Sequence, residues 1–552
     1  MFFPHDTKRP GQDTLMEDIS EALTDGKTIL THAPTGLGKT AAALSEALTV
    51  AMEEDKVIFF LTNRHTQHQI AIDTLKKIKK KTGSDFHTVD LIGKRWMCNQ
   101  SIAQMMGSDF NEYCKSLVEK GECEFYNNVK KKSALQVAAQ AHIKDLERQG
   151  PLHTGELIEQ CQDKKMCSYE IAVAMSKNAR IIIGDYYYMF NPHVQASILN
   201  KLERELQDII VVVDEGHNLP NRVTEMMSNN LTTNMIKNGL VEAKKYRYEG
   251  IIVWLQDMMS ILNNLVGSEE KTVTREQFTN ALKVKVDYEE LMNQLDLAAE
   301  EIRKKQRRSY LGGISAFLEA WEGPDDGFVR IIAEHRSKYG PIISLQYSCL
   351  DPALITRDIF KNIHSAIIMS GTLQPTFMYK DILGIDNGVM KDYKSPFPPE
   401  NKVSLIIPDT STKFTVRGDA MYKRIADHCS EIIRLTPGNV AIFFPSYYLR
   451  DSMAQFISTQ RKCFYEKNTM TKEEKQGLLN DFEAEKDVGG VLLGVSGANF
   501  AEGIDFPGDI LKTVIVVGLP LAKPDLKTKS IISYYDKKYG KGWDYGYTFP
   551  AF

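Results

Sequence analysis

The chain has 552 residues, 43% of them hydrophobic and 25% charged, so it is globular and too long for a single core. A net charge of −4 does not advertise a nucleic-acid binder, and any such binding has to come from local patches. No apolar run reaches transmembrane length, and Met1-Phe-Phe-Pro-His-Asp6 turns polar too soon for a signal peptide, so a soluble intracellular protein is expected.

In chain order, Lys27–Leu30 reads as a strand, Thr31-His-Ala-Pro-Thr-Gly-Leu-Gly-Lys-Thr40 as a glycine loop, and Ala41–Leu44 as the opening of a helix. That order is what holding a triphosphate requires. Loop N–H groups and the helix N-terminus favour anions, and Gly36 and Gly38 let the backbone come close. Pro34 and Thr35 shape the loop, Lys39 reaches the β/γ-phosphates, and the Thr40 hydroxyl ligates Mg²⁺. Ala33 stands where the usual loop begins with Gly. Val57–Leu61 reads as a buried parallel strand, and Lys76–Thr82 as a basic run that is either a solvated helix face or a nucleic-acid contact.

From 91 to 172 the alternation of strand and helix breaks into short, polar segments containing Cys98, Cys114, Cys123, Cys161 and Cys167. In a reducing compartment this crowding points to metal, not disulfides. Strands resume at Ala179–Gly184 and Ile209–Val213. Residues 222–345 read as a mostly helical second insertion, with Tyr288–Leu297 typical of it, and Ser365–Met369 returns to the first sheet. The first α/β domain is thus 1–90, 173–221 and 346–395. A second α/β pattern fills 396–552, with strands expected at Val403–Ile407, Val440–Phe444, Gly490–Val495 and Val514–Gly518 and a helix from Met421 to Leu435.

Asp214-Glu-Gly-His217 directly follows a strand, where open α/β sheets bind ligands. Asp214 can hold Mg²⁺, Glu215 can orient and deprotonate a water, and His217 can report the nucleotide state across the cleft. Ser370-Gly-Thr-Leu373 and Ala501-Glu-Gly-Ile-Asp505 likewise follow strands.

These motifs, in this order, resemble the XPD-like iron–sulfur helicases of superfamily 2, the group that also contains the DinG helicases. The resemblance spans almost the whole chain and is strongest toward archaeal XPD. It implies two recA-like parallel-sheet domains, the first carrying an iron–sulfur insert and a helical arch. Arg9-Pro-Gly-Gln12 matches the adenine-reading Q motif, so Gln12 joins the nucleotide-binding set. Arg64 matches the motif Ia arginine, Gly216 stands where the family usually has Ala, Phe444–Tyr447 matches motif IV, and Gly503 and Asp505 belong to motif V. Cys98, Cys114, Cys123 and Cys167 match the four ligands of a [4Fe–4S] cluster, with Ser168 in place of the family's Pro and Cys161 left over. Zinc takes the same ligands but favours C-x₂₋₄-C pairs, which are absent here.

The resemblance further implies ATP- and Mg²⁺-dependent translocation on single-stranded DNA with 5′→3′ polarity, and separation of forked duplexes in repair. Arg64 and Lys94 are the expected phosphate contacts, and Tyr169, Tyr187 and Tyr447 the expected stacking rings. A monomer acting on DNA is expected, with repair-complex partners, in the nucleoid of a prokaryote or the nucleus of a eukaryote. The rival reading is an ATP-gated DNA-binding subunit of a repair or transcription assembly that does not itself unwind. The family's arginine finger lies in a late second-domain helix. No arginine follows Arg461 here, so the natural protein is expected to continue past Phe552 or to receive that arginine from a partner.

Overall fold

The computed structural model describes residues 2–551 apart from 64, 105–106, 133, 304–308, 338–339, 499, 502–503, 505, 520 and 522–523. The chain divides into two units, Met1–Pro398 with Asp525–Phe549, and Pro399–Pro524 with Pro550–Phe552.

The first unit is built on a seven-stranded sheet. Its strands run in the order Gly388–Asp392, Thr28–His32, Ser365–Ser370, Ile209–Asp214, Val57–Leu61, Ile181–Gly184, Thr88–Asp90. Every pairing is parallel. A parallel sheet is covered on both faces, so its strands read as unbroken apolar runs. Alternate residues accordingly enter two different cores: Phe59, Leu61, Val211 and Val213 pack on one face, and Ile58, Phe60, Ile210 and Val212 on the other. The short strands Thr88–Asp90 and Gly388–Asp392 were not expected from the sequence, because three to five half-polar residues carry little periodicity.

The cysteine-rich insert leaves the sheet after Asp90 and rejoins it at Ile181. Among the described residues the second insertion carries five helices, from Thr233–Tyr246 to Tyr310–Trp321, but it is not only helical. Strands Phe328–Ser337 and Gly340–Cys349 form a long hairpin, and Asn229–Thr232 and Lys271–Thr272 complete a four-stranded antiparallel sheet. The expected boundary at 345 therefore falls inside a strand. A buried charge disguised the hairpin in the sequence. Arg330 interrupts the apolar run, yet it is 5% exposed. Its guanidinium donates to the Trp321 and Gly323 carbonyls, pairs with Asp325, and lies over the Trp321 and Tyr347 rings.

The second unit has a parallel four-stranded sheet in the order Cys463–Tyr465, Val491–Val495, Val440–Phe444, Thr513–Val516. The helix expected from Met421 spans Asp419–Leu435 and buries Tyr422, Ile425, Cys429 and Ile433 on one face. The strand expected at Val403–Ile407 does not form. Val403, Leu405 and Ile406 are 80, 83 and 91% exposed. An apolar run becomes a strand only where another edge accepts its hydrogen bonds, and among the described residues none pairs with this one.

Residues 525–549, assigned by sequence to the second domain, pack with the first unit. From the helix Leu526–Tyr539, Tyr534 Oη and Lys538 Nζ donate to buried Asp351 at 2.8 and 2.6 Å. Tyr545 Oη donates to the Asp381 carboxylate at 2.6 Å, and Tyr539 Oη to the Asp381 carbonyl at 2.8 Å. Among the described residues, no helix is long and apolar enough to cross a membrane.

Candidate functional site

The glycine loop joins Thr28–His32 to the helix Lys39–Glu53, so Lys39 and Thr40 form its first turn. Gly36 and Gly38 have φ of 91° and 83°, a region that glycine enters without the penalty of a Cβ. Pro34 and Thr35 lie between the strand and these glycines. The start of the chain braces the loop. Gln12 is buried, its Nε2 donates to the Gly38 carbonyl at 3.1 Å, and its Oε1 accepts the Arg9 N–H at 3.0 Å. Arg9 donates in turn to the Gly36 carbonyl at 2.5 Å. Gln12, expected to read adenine, thus grips the phosphate loop in this structure.

Asp214 ends its strand and Glu215 begins the turn, with φ of 51°. Tyr186, fully buried, holds that turn by donating to the Asp214 and Glu215 carbonyls at 2.6 and 3.0 Å. Burial, reinforced by the Glu215 charge, pushes the Asp214 carboxyl up to about 7, and nearby Lys39 acts in the opposite direction. Ser370 is the meeting point. Its Oγ donates to Glu215 Oε2 at 3.0 Å and lies 2.8 Å from His217 Nδ1. Its carbonyl accepts the Ala33 N–H of the loop at 3.0 Å. Thr35 Oγ1 and Lys39 Nζ lie within 4 Å of where a Gly371 side chain would begin. Loop, Asp214–His217 and Ser370–Thr372 therefore form one continuous hydrogen-bonded edge.

Gly216 meets the same edge from below. A Cβ there would approach Ile368 Cγ2 to 2.5 Å, which accounts for the absence of the family's alanine. Gly503 and Asp505 of the second unit, and Arg64, lie outside the described residues.

The five cysteines of the insert split four to one. Cys98, Cys114, Cys123 and Cys167 line one cavity, walled by Ile102, Phe110, Leu117 and Phe125. Cys161 is buried elsewhere, with its Sγ 3.9 Å from His142 Nε2. Burial raises the Cys98 and Cys114 thiols and pushes Cys167 up to about 12, while the charge of Lys94 opposes this at all three. Among the described residues, no set of three or more His, Cys, Asp or Glu converges on a single metal ion. One ion requires sulfurs about 2.3 Å from a common point. Four thiols lining one cavity supply the donor type that an iron–sulfur group takes. Local bonds hold the ring. Gln100 Nε2 donates to Cys123 Sγ at 3.0 Å, and Asn99 Nδ2 donates to Ser168 Oγ at 3.1 Å, joining the Cys98 and Cys167 segments.

The expected DNA-facing residues have different environments. Of Tyr186, Tyr187 and Tyr188, only Tyr187 is exposed, at 41%, and Tyr188 donates to the Ile92 carbonyl. Tyr169 is half-buried beside Cys167. Lys94 lies over the Tyr169 ring at 5.3 Å and faces Cys114, Cys167 and Glu170. Burial alone would lower the Lys94 ammonium, and those groups raise it instead. Its position favours the thiol cavity over an open phosphate path. Tyr447 opens the helix Tyr447–Ala454 of the second unit, with Arg450 over its ring. The basic run is the side of a helix on which three lysines are engaged: Lys76 with Glu156, Lys81 with Asp6, and Lys79 with the Phe86 carbonyl. Sequence reasoning missed Arg9 and Tyr186 as supports, since neither role has a spacing signature.

The DEAD_2 family model matches residues 60–236, and the Helicase C-terminal domain model matches residues 429–552. The chain is 25% identical to the ATP-dependent DNA helicase XPD of Sulfolobus acidocaldarius, covering 94% of this chain and 86% of that one. It is 22% identical to the general transcription and DNA repair factor IIH helicase subunit XPD/RAD3 of Saccharomyces cerevisiae, covering 94% and 79%. A solved XPD helicase structure superposes with a TM-score of 0.69 over 99% of this chain and 92% of that one, at 23% identity, and it shares the fold. With the two domain models in their expected order and the loop, strand-end carboxylates and Ser370 on one edge, the chain belongs to the XPD/Rad3 family of helicases.

Proposed function

We propose that the protein is an ATP-dependent DNA helicase that moves 5′→3′ along single-stranded DNA and opens forked duplexes. The observation that carries this reading is the Ser370 hydroxyl bridging Glu215 and His217 beside the phosphate loop. A group that touches both the water-activating carboxylate and a histidine reporter can couple hydrolysis to strand affinity. Lys39 would neutralise the transferring phosphate. Thr40 and Asp214 would hold Mg²⁺, whose charge would favour the ionised form of the Asp214 carboxyl. Glu215 would accept the proton of the attacking water, and His217 and Ser370 hold its carboxylate in place. Gly503 and Asp505 would belong to the nucleotide-binding set, as the motif V resemblance implies.

Cys98, Cys114, Cys123 and Cys167 would bind a [4Fe–4S] cluster, which when present staples the insert's segments together. Tyr187, Tyr169, Tyr447 and Arg64 would meet the strand. The name of the yeast relative supports a second reading, an ATP-gated subunit of a repair assembly. Strand displacement with ATP on 5′- and 3′-tailed duplexes separates the two. Opening of only the 5′-tailed substrate is expected, with Glu215→Gln binding ATP but not turning it over. No opening of either tail by the purified protein would favour the subunit reading, and wild-type turnover by Glu215→Gln would remove the hydrolysis assignment.

A further inference from the structure

Lys94 turns toward the thiol cavity, yet the Tyr169 ring has a second cation. Lys201, on the helix Pro192–Leu202, lies 5.4 Å from the centre of the same ring, and its Nζ is 3.4 Å from Tyr169 Oη. The two lysines differ in surroundings. Lys94 faces Cys114, Cys167 and Glu170, whereas Lys201 is solvent-exposed and meets the ring and its hydroxyl. Exposed Tyr187 lies on the short helix Tyr187–Phe190 just before the lysine's own helix, and the two helices pack together.

We propose that Lys201 is a backbone-phosphate contact for single-stranded nucleic acid, working with Tyr169 as a paired phosphate-and-base subsite beside the cysteine insert. This rests on the helicase reading above. An exposed cation–ring contact is weak. An incoming base stacks on the ring more strongly and can displace the lysine from it. The freed ammonium stays within a side chain's length of the nucleotide it has admitted, where a phosphate oxygen accepts its hydrogen bond. Lys201 then rests on Tyr169 in the free protein and moves to phosphate in the complex. Lys94 keeps its place by the thiols in both states.

The test is a salt titration of single-stranded oligonucleotide binding to the intact, iron-loaded protein, comparing wild type, Lys201→Ala and Lys201→Arg, with iron content measured for each. Removing one phosphate contact lowers the slope of log affinity against log salt by about 0.7 for a single strand. The gap between wild type and Lys201→Ala should therefore shrink by roughly 2.5-fold from about 50 to about 200 mM salt. Lys201→Arg should restore the slope, and iron content should stay at the wild-type level throughout. A merely structural role would weaken binding without changing the slope. Wild-type binding with an unchanged slope in Lys201→Ala overturns the proposal and leaves the helicase reading standing. Failure of the wild type to bind the strand at all overturns both.

Discussion

Gly216 shows how a single residue can depart from a family pattern and still be dictated by its surroundings. The next strand of the sheet places Ile368 Cγ2 2.5 Å from where an alanine methyl would stand. Isoleucine is stiff at χ1, so its branch methyl cannot swing away cheaply. Gly216→Ala should cost about 1–3 kcal/mol by overpacking. In combination with Ile368→Ala the two costs should be less than additive, because the second change makes the room the first requires. Chemical denaturation of the four proteins of the cycle measures this, and full additivity would refute the steric account. The substitution itself was legible in the sequence. Its cause was not, because Ile368 lies far along the chain and meets Gly216 only through the parallel sheet. Ser168 is a similar case. It replaces the family's proline and gains Asn99 as a donor, which joins the first and fourth cysteine segments.

At the scale of elements, the apolar strands Val57–Leu61 and Val440–Phe444 have the bounds their sequence suggests, because both faces of a parallel strand are buried. What stayed hidden were elements held by buried polar groups. The strand Thr88–Asp90 ends on such a group. Asp90 accepts from His68 Nδ1 at 2.5 Å and from the Thr154 N–H at 2.9 Å, fastening the helix that follows Arg64 to the insert helix Thr154–Asp163. Burial pushes the Asp90 carboxyl up, but the bonds from His68 and Thr154 prevail and hold it below the usual carboxylate range. A carboxyl depressed on folding contributes stability above its unfolded value, about 3.9, and loses it as pH falls through the lower folded value. Asp90→Asn should therefore be less stable than wild type at neutral pH, and the difference should shrink as pH drops below about 4. Urea midpoints taken across that range check it, and a difference independent of pH would contradict it. In the same insert, Cys98→Ser, Cys114→Ser, Cys123→Ser and Cys167→Ser should each lose iron, whereas Cys161→Ser, outside the cavity, should keep it. Full iron in the Cys167→Ser protein would show that the ring of ligands is a different one.

For the molecule as a whole, motif order was enough to read the two parallel-sheet domains and the edge where the loop, Asp214–His217 and Ser370 meet. It could not reveal how the end of the chain is fastened, because no motif marks residues 525–549. Their attachment depends on tyrosine hydroxyls and two acids about 150 or more residues upstream. Asp351 is 2% exposed and receives both Tyr534 Oη and Lys538 Nζ. Burial alone would lower the Lys538 ammonium, and Asp351 holds it raised. Removing one partner of a buried, hydrogen-bonded pair leaves the other uncompensated, at a cost of about 3–5 kcal/mol when both are fully desolvated. Lys538 keeps 26% of its side-chain surface exposed, so water repays part of that loss and the cost should fall below this range. Asp351→Asn keeps the volume and one acceptor, so it should cost less than Asp351→Ala. In both, the helix Leu526–Tyr539 should detach before the parallel sheet unfolds, since its remaining ties are the Leu526 N–H to Glu270, the Asp381 bonds of Tyr539 and Tyr545, and the packing of Tyr535 and Tyr545. Limited proteolysis with mass detection should find new cleavage within 525–549 in Asp351→Ala, with amide protection of Val57–Leu61 and Ile209–Asp214 unchanged. Wild-type protection of 525–549 in that variant would mean that the remaining contacts fasten the segment and that the buried acid is dispensable.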